Sequence, residues 1–138
     1  MTEPYTHHVH YYETDQMGIV HHSNYIRWFE EARDDFTLKH GVDYREIEAR
    51  GYLFAVVSVD CRYRTPAKYG EEVRVYVRLK SFNGARACYE YELRKPDGSL
   101  SVTGHSEHCF ISAATRGPVN IRRVLPEYAQ KRFDMVET

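Results

Sequence analysis

The sequence predicts an α+β domain in which a curved antiparallel sheet packs against one long helix. Three observations predict it: a helical period over Tyr25 to His40, a period of two from Leu53 onward, and turn signals that separate four successive strands. Such a sheet has one face to bury, and the helix is the only element large and apolar enough to cover it.

The elements follow in order. His7 to Glu13 alternates histidines and tyrosines around Val9 and reads as a short strand, followed by a polar, glycine-containing stretch from Thr14 to Asn24. Tyr25, Phe29, Ala32 and Phe36 then recur at helical spacing. Ile26 and Trp28 widen the apolar surface, so the helix is expected to be buried on more than one side. Ser23 or Asn24 can cap its first turn by accepting from an unpaired backbone N–H. Gly41 supplies the stop. Asp43 to Arg50 reads as a second, shorter helix closed by Gly51. Glu30, Glu31 and Arg33 are expected to face solvent or an interface.

The period then changes. Leu53, Ala55, Val57, Val59, Cys61 and Tyr63 fall on one face of a strand, as do Val73, Val75, Val77 and Leu79 of the next. Asn83-Gly84 is a hairpin signal, because both residues tolerate the positive φ of tight turns. Ala87, Tyr89, Tyr91 and Leu93 continue the pattern as packing residues, Pro96-Asp97-Gly98 turns the chain, and Leu100 to Ile111 forms the last long strand. A tail containing Pro118 and Pro126 ends in a short helix, Glu127 to Phe133.

Composition excludes several classes. The 138 residues suit one domain over the whole chain, 1–138, and 42% hydrophobic content argues against disorder. Lys plus Arg is 19 and Asp plus Glu is 20, a net charge of −1 that leaves no positive surplus for a general nucleic-acid binder. No apolar run approaches the roughly 20 residues of a membrane span, and the polar, His-rich start is unlike a signal peptide. The 3 cysteines are far apart and form no C-x-x-C pair, so a reducing, cytoplasmic setting is expected. Twelve tyrosines favour strands or a binding surface. No internal repeat, P-loop, GxGxxG or GxSxG occurs.

Asp15 is the first candidate for chemistry. It lies between a strand and the start of the longest helix, where unpaired N–H groups and the positive dipole end can polarise a carbonyl and stabilise an oxyanion. A carboxylate beside that point can attack the carbonyl or activate a water. Gly18 would let the backbone approach a ligand closely. The structural alternative is that Asp15 merely closes an Asx turn. His8 and His10 alternate onto one strand face, but two histidines without a third ligand are an incomplete metal site. His105 and His108, three apart on a strand, face opposite sides, and the adjacent His108 and Cys109 also point apart, so neither pairing supports a nucleophile.

The segment Tyr12-Glu13-Thr14-Asp15-Gln16-Met17-Gly18-Ile19-Val20-His21-His22-Ser23-Asn24-Tyr25 resembles the signature of hotdog-fold acyl-CoA thioesterases. It is most similar to the 4-hydroxybenzoyl-CoA thioesterase family and its relatives encoded with the Tol-Pal system. That pattern is an acidic residue, a glycine three positions on, two aliphatics, then a His or Tyr, and an Asn/Ser-Tyr pair opening the helix. Tyr63-Arg64-Thr65-Pro66-Ala67 followed by Gly70-Glu71 resembles the family's second strand and its Pro-Ala turn.

The resemblance implies a hotdog fold, with the sheet wrapped around a central helix, and hydrolysis of an acyl-CoA to free acid and CoA. It implies that Asp15 is the catalytic carboxylate, as nucleophile or general base. His22 matches the position whose backbone N–H points at the thioester oxygen, and in the Tol-Pal-associated branch its side chain has a proposed catalytic part. Gly18 matches the loop glycine, and Tyr25 the tyrosine that opens the helix. His21 is expected to line the pocket or the surface. Apart from the resemblance, Arg62, Arg64 and Lys68 cluster at the end of the second strand, where they form a solvated sheet edge or meet the phosphates of a coenzyme A moiety, with Arg64 and Lys68 as the candidates. No metal or organic cofactor is implied, because a thiolate leaves readily. A homodimer or homotetramer, with the site at a subunit interface, is implied as well. The rival reading is a non-catalytic module that binds acyl-CoA or acyl-carrier protein. A third is an envelope-associated scaffold.

Overall fold

The computed structural model describes residues 3–137. The period-two segments form strands Tyr52–Tyr63 (β2), Glu72–Phe82 (β3), Arg86–Arg94 (β4) and Leu100–Ser112 (β5), preceded by a short strand Tyr5–His8 (β1). All pair antiparallel in one five-stranded sheet of order β1-β3-β4-β5-β2. Helix α1, Ser23–Lys39, lies against the sheet's inner face, and α2, Tyr44–Ala49, follows it. Two further helices, Ile121–Val124 (α3) and Pro126–Asp134 (α4), close one end; α4 includes the expected Glu127–Phe133 and extends it by one residue each way.

Burial explains the packing. Tyr25, Trp28, Phe29, Ala32 and Phe36 are buried, while Ile26 is exposed, so the extra apolar face is supplied by Trp28 alone. Phe29 stacks on Tyr91 at 4.6 Å and 9°, and Phe36 meets Tyr89 edge-on at 6.2 Å. Gly104 of β5 permits that approach: a Cβ there would lie 2.4 Å from the Phe29 ring.

The sheet curves through bulges. Register shifts between Val56 and Ser58 on β2 and between Leu79 and Ser81 on β3, each placing one extra residue against its partner strand. The expected single face of β2 is therefore corrected. Phe54 and Cys61, of opposite parity, both pack on the core, whereas Val57 and Val59 are exposed.

Four local expectations are also corrected. The first strand ends at His8, and Tyr11–Glu13 forms a 3-10 turn instead of continuing it. The Glu13 carboxylate accepts the His10 N–H at 2.7 Å and is drawn beneath the helix, which leaves Tyr11 and Tyr12 in solvent. Helix α1 starts two residues earlier than expected, with His22 at its N-cap and no side-chain cap; Asn24 turns inward and donates to the Glu13 carbonyl at 2.9 Å. Arg33 is buried, not solvent-facing, because it stands one turn beyond Phe29 on the same face and donates to the Tyr91 hydroxyl at 3.0 Å. In the hairpin, only Gly84 takes a positive φ; Asn83 instead accepts the Ala85 and Arg86 N–H groups.

Candidate active site

The loop between Glu13 and α1 is a closed, hydrogen-bonded unit. Thr14 bridges Val20, the Asp15 N–H donates to the Ile19 carbonyl at 2.9 Å, and the Gly18 N–H donates to the Asp15 carbonyl at 3.0 Å. Gly18 holds this turn with a φ of 77°, where a side chain would be strained; no other atom lies within 4 Å of where its Cβ would be. Its demand is therefore conformational in the isolated chain. The Met17 N–H donates to Asp15 Oδ1 at 2.8 Å, so Asp15 does close an Asx turn. Among the described residues no hydrogen bond engages Oδ2.

Glu13 anchors this unit from behind. Its backbone carbonyl accepts the His21 N–H at 2.8 Å and the Asn24 side chain at 2.9 Å, tying the loop's two ends together. Its carboxylate accepts from His10 N–H, from His7 Nε2 at 2.9 Å and from Trp28 Nε1 at 2.7 Å. Burial alone would push the carboxyl up; the bonds from His10, His7 and Trp28 outweigh it and hold it below the usual range. Sequence reading passed over Glu13. Its only signal is an acidic residue set between apolar aromatics and the helix start.

A cavity of about 260 Å³ opens at the start of α1, lined by Asp15, Met17, Ile19, Val20, His22, Tyr25, Tyr63, Arg64, Thr65 and Pro66. It brings together four of the sequence candidates: Asp15, His22, Tyr25 and Arg64. Gly18 and Lys68 do not line it; Lys68 is exposed, its backbone N–H donating to Glu71 at 2.6 Å. Arg62 lines a different hollow with Asp60, Cys61, Thr103 and His105. Arg62 and Arg64 thus open onto different hollows, and Lys68 lines neither.

Tyr25 is buried, and its hydroxyl accepts the Ala67 N–H at 3.1 Å, which fixes the Pro66-Ala67 turn against the helix. Burial pushes its phenol up, so it stays a neutral hydroxyl. His22 lies on the rim, its ring stacked on His21 at 4.3 Å and its carbonyl accepting the Tyr63 hydroxyl at 3.5 Å. Among the described residues no hydrogen bond occupies the His22 N–H. His21 is exposed, turned toward the Ser23 hydroxyl at 2.8 Å.

The remaining candidates lie elsewhere. His105 is exposed on the outer face and His108 fully buried on the inner one, as their spacing predicts. His108 receives the end of a chain running from Arg33 through Tyr91 and Ser106, not a cysteine. No helix among the described residues is long and apolar enough to cross a membrane.

Comparison with known proteins agrees with this architecture. Residues 9–132 match the thioesterase-like superfamily. YneP of Bacillus subtilis (strain 168) is 35% identical over 120 residues, 87% of each chain. The acyl-CoA thioesterase YbgC of Helicobacter pylori is 32% identical over 127 residues, 86% of this chain and 93% of that one. The crystal structure of a DHNA-CoA thioesterase from Staphylococcus aureus superposes with a TM-score of 0.91 at 30% identity, covering 96% of this chain and 89% of that one. The chain belongs to the thioesterase-like superfamily and has its hotdog fold.

Proposed function

We propose that the protein hydrolyses an acyl-CoA thioester to the free acid and CoA in the cavity at the start of α1. One observation carries the reading: the cavity wall contains both a carboxylate, Asp15, and the N-terminal end of a 17-residue helix at His22. The thioester carbonyl oxygen sits toward the His22 N–H, where the helix dipole favours developing negative charge. Asp15 then attacks the carbonyl carbon, or takes a proton from the water that does. In the first case the C–S bond breaks, the thiolate leaves, and the mixed anhydride left on Asp15 is hydrolysed by water. In the second the C–S bond breaks as water adds, the free acid forms directly, and the water's proton passes from Asp15 to the departing thiolate. Relatives named as an acyl-CoA thioesterase and a DHNA-CoA thioesterase support the substrate class.

We further propose that a second copy of the chain pairs along β2. β2 is an edge strand, and Val56, Val57 and Val59 on it are 55%, 46% and 37% exposed. An unpaired edge carrying three exposed valines fits pairing with another copy of the chain. The cytoplasm is the proposed setting.

The test is release of free CoA thiol from short, long and aromatic acyl-CoAs. Turnover by the wild type supports the reading. Binding without turnover supports the alternative, a non-catalytic acyl-CoA module, which the Asx turn at Asp15 favours because it gives that residue a purely structural use.

A further inference from the structure

We propose that His7, His10 and Glu13 form a binding site for a divalent first-row transition cation such as zinc or cobalt. This inference does not depend on the thioesterase reading. One ligand atom from each residue lies within 4.8 Å of the others. The early end of β1 creates the site. The chain leaves the strand after His8 and winds into the turn Tyr11–Glu13, so residues that a continued strand would spread along its length converge on one point.

The donor set selects the ion. Two imidazoles and one carboxylate suit zinc, cobalt, nickel or copper; calcium and magnesium require a shell of oxygens. Around a tetrahedral ion with bonds of 2.0–2.1 Å, neighbouring ligand atoms stand about 3.3 Å apart. The His7 Nε2 to Glu13 Oε1 distance of 2.9 Å therefore has to open by only a few tenths of an ångström. His7 and Glu13 form the inner wall, with side chains 10% and 7% exposed. His10 is exposed, which provides the entrance and leaves room for water ligands.

The surroundings already have the arrangement that orients metal ligands. Glu13 Oε2 is fixed by Trp28 Nε1 at 2.7 Å, and Oε1 holds the His10 N–H while keeping a second lone pair for the ion. His7 Nδ1 faces Glu31 Oε2 at 3.7 Å, and that oxygen is steadied by the Tyr5 hydroxyl at 3.0 Å. A carboxylate behind a ligating histidine is the usual means of setting its tautomer. An ion bound by the Nε2 lone pair requires the His7 ring proton on Nδ1, where it faces Glu31. No electron is transferred.

The test uses the untagged 138-residue chain. Cobalt is titrated by visible absorption and zinc by calorimetry, with His10→Ala, Glu31→Gln and His8→Ala alongside. His10→Ala leaves the backbone N–H that Glu13 needs, so its melting curve without metal is expected to stay close to wild type. One equivalent should bind with a tetrahedral or five-coordinate cobalt spectrum, and excess zinc should raise Tm by several degrees. His10→Ala should weaken binding at least tenfold, Glu31→Gln about tenfold, and His8→Ala not at all. Absence of saturable binding by the wild type overturns the proposal. So does binding that His10→Ala leaves untouched, which would place the ion on surface histidines such as His21 and His22.

Discussion

Trp28 Nε1 donates to Glu13 Oε2 at 2.7 Å, joining the interior of α1 to the segment that carries Asp15 two residues later. Both side chains are buried, so neither can turn to water for a substitute partner. Trp28→Phe is expected to cost about 1–3 kcal/mol, because it leaves one oxygen of a buried carboxylate short of a donor. Glu13→Ala strands three donors and is expected to cost more than Trp28→Phe. Urea midpoints of the two variants, with unchanged slopes, check the order.

The contact between Gly104 and Phe29 fixes how closely the helix lies on the sheet. A Cβ at residue 104 meets the Phe29 ring on one side and the Asp60 carbonyl at 3.0 Å on the other, and the ring is held by its stack on Tyr91. Gly104→Ala is expected to cost about 1–3 kcal/mol by overpacking. Adding Phe29→Leu should recover part of that loss, and a double-mutant cycle measures the coupling.

The two periods and the Asp15 loop were legible because each depends on local spacing: apolar residues at helical intervals from Tyr25 to Phe36, alternation in β3 and β4, and a glycine three residues after Asp15. The β2 bulge was not legible. Leu53 to Val57 is an unbroken apolar run, which hides any change of phase until register is seen. Arg33 and Glu13 were missed for another reason. A charged residue reads as exposed unless its partners are known, and Tyr91 and Trp28 lie 58 and 15 residues away. The His7, His10 and Glu13 grouping depends on a turn that the alternating His and Tyr pattern disguised as strand.

His108 gives the fold a pH dependence. Burial and the charges of Arg33 and Arg132 push its pKa from 6.5 to about 3. The unfolded chain therefore takes up this proton as pH falls through about 6.5, while the folded chain refuses it until about 3. Stability falls with pH across that window, by up to about 1.4 kcal/mol per unit from this group. His108→Gln keeps a hydrogen-bonding partner for Ser106 and removes the titration. Chemical denaturation at pH 7, 6, 5 and 4 should show a flatter profile for the variant.

Association through β2 is tested on its exposed edge. Val57 is the unpaired bulge residue and Val59 lies beyond it, both partly exposed. Val57→Lys combined with Val59→Lys places charge on that edge without touching the core, and should leave the circular-dichroism spectrum of the fold unchanged while lowering Tm only by the stability that association supplies. Sedimentation velocity should show a shift toward monomer. If turnover falls with the oligomer, the second copy contributes to the site.

Asp15→Asn separates the turn-forming part of Asp15 from its chemical part. Asparagine keeps an Oδ1 that can accept the Met17 N–H, so Asp15→Asn preserves the Asx turn observed at 2.8 Å while removing the negative charge. If the carboxylate attacks the thioester or activates water, this change should lower kcat by about 10²-fold or more with little effect on Tm. Asp15→Ala loses both turn and charge and should be less stable than Asp15→Asn, but no more inactive. His22→Ala retains the backbone N–H at the helix start, so it should cost less than tenfold if only that N–H meets the substrate. Steady-state thiol release for the three variants, beside their thermal melts, gives the comparison. Full activity in Asp15→Asn would assign the residue to the turn alone and remove it from the chemistry.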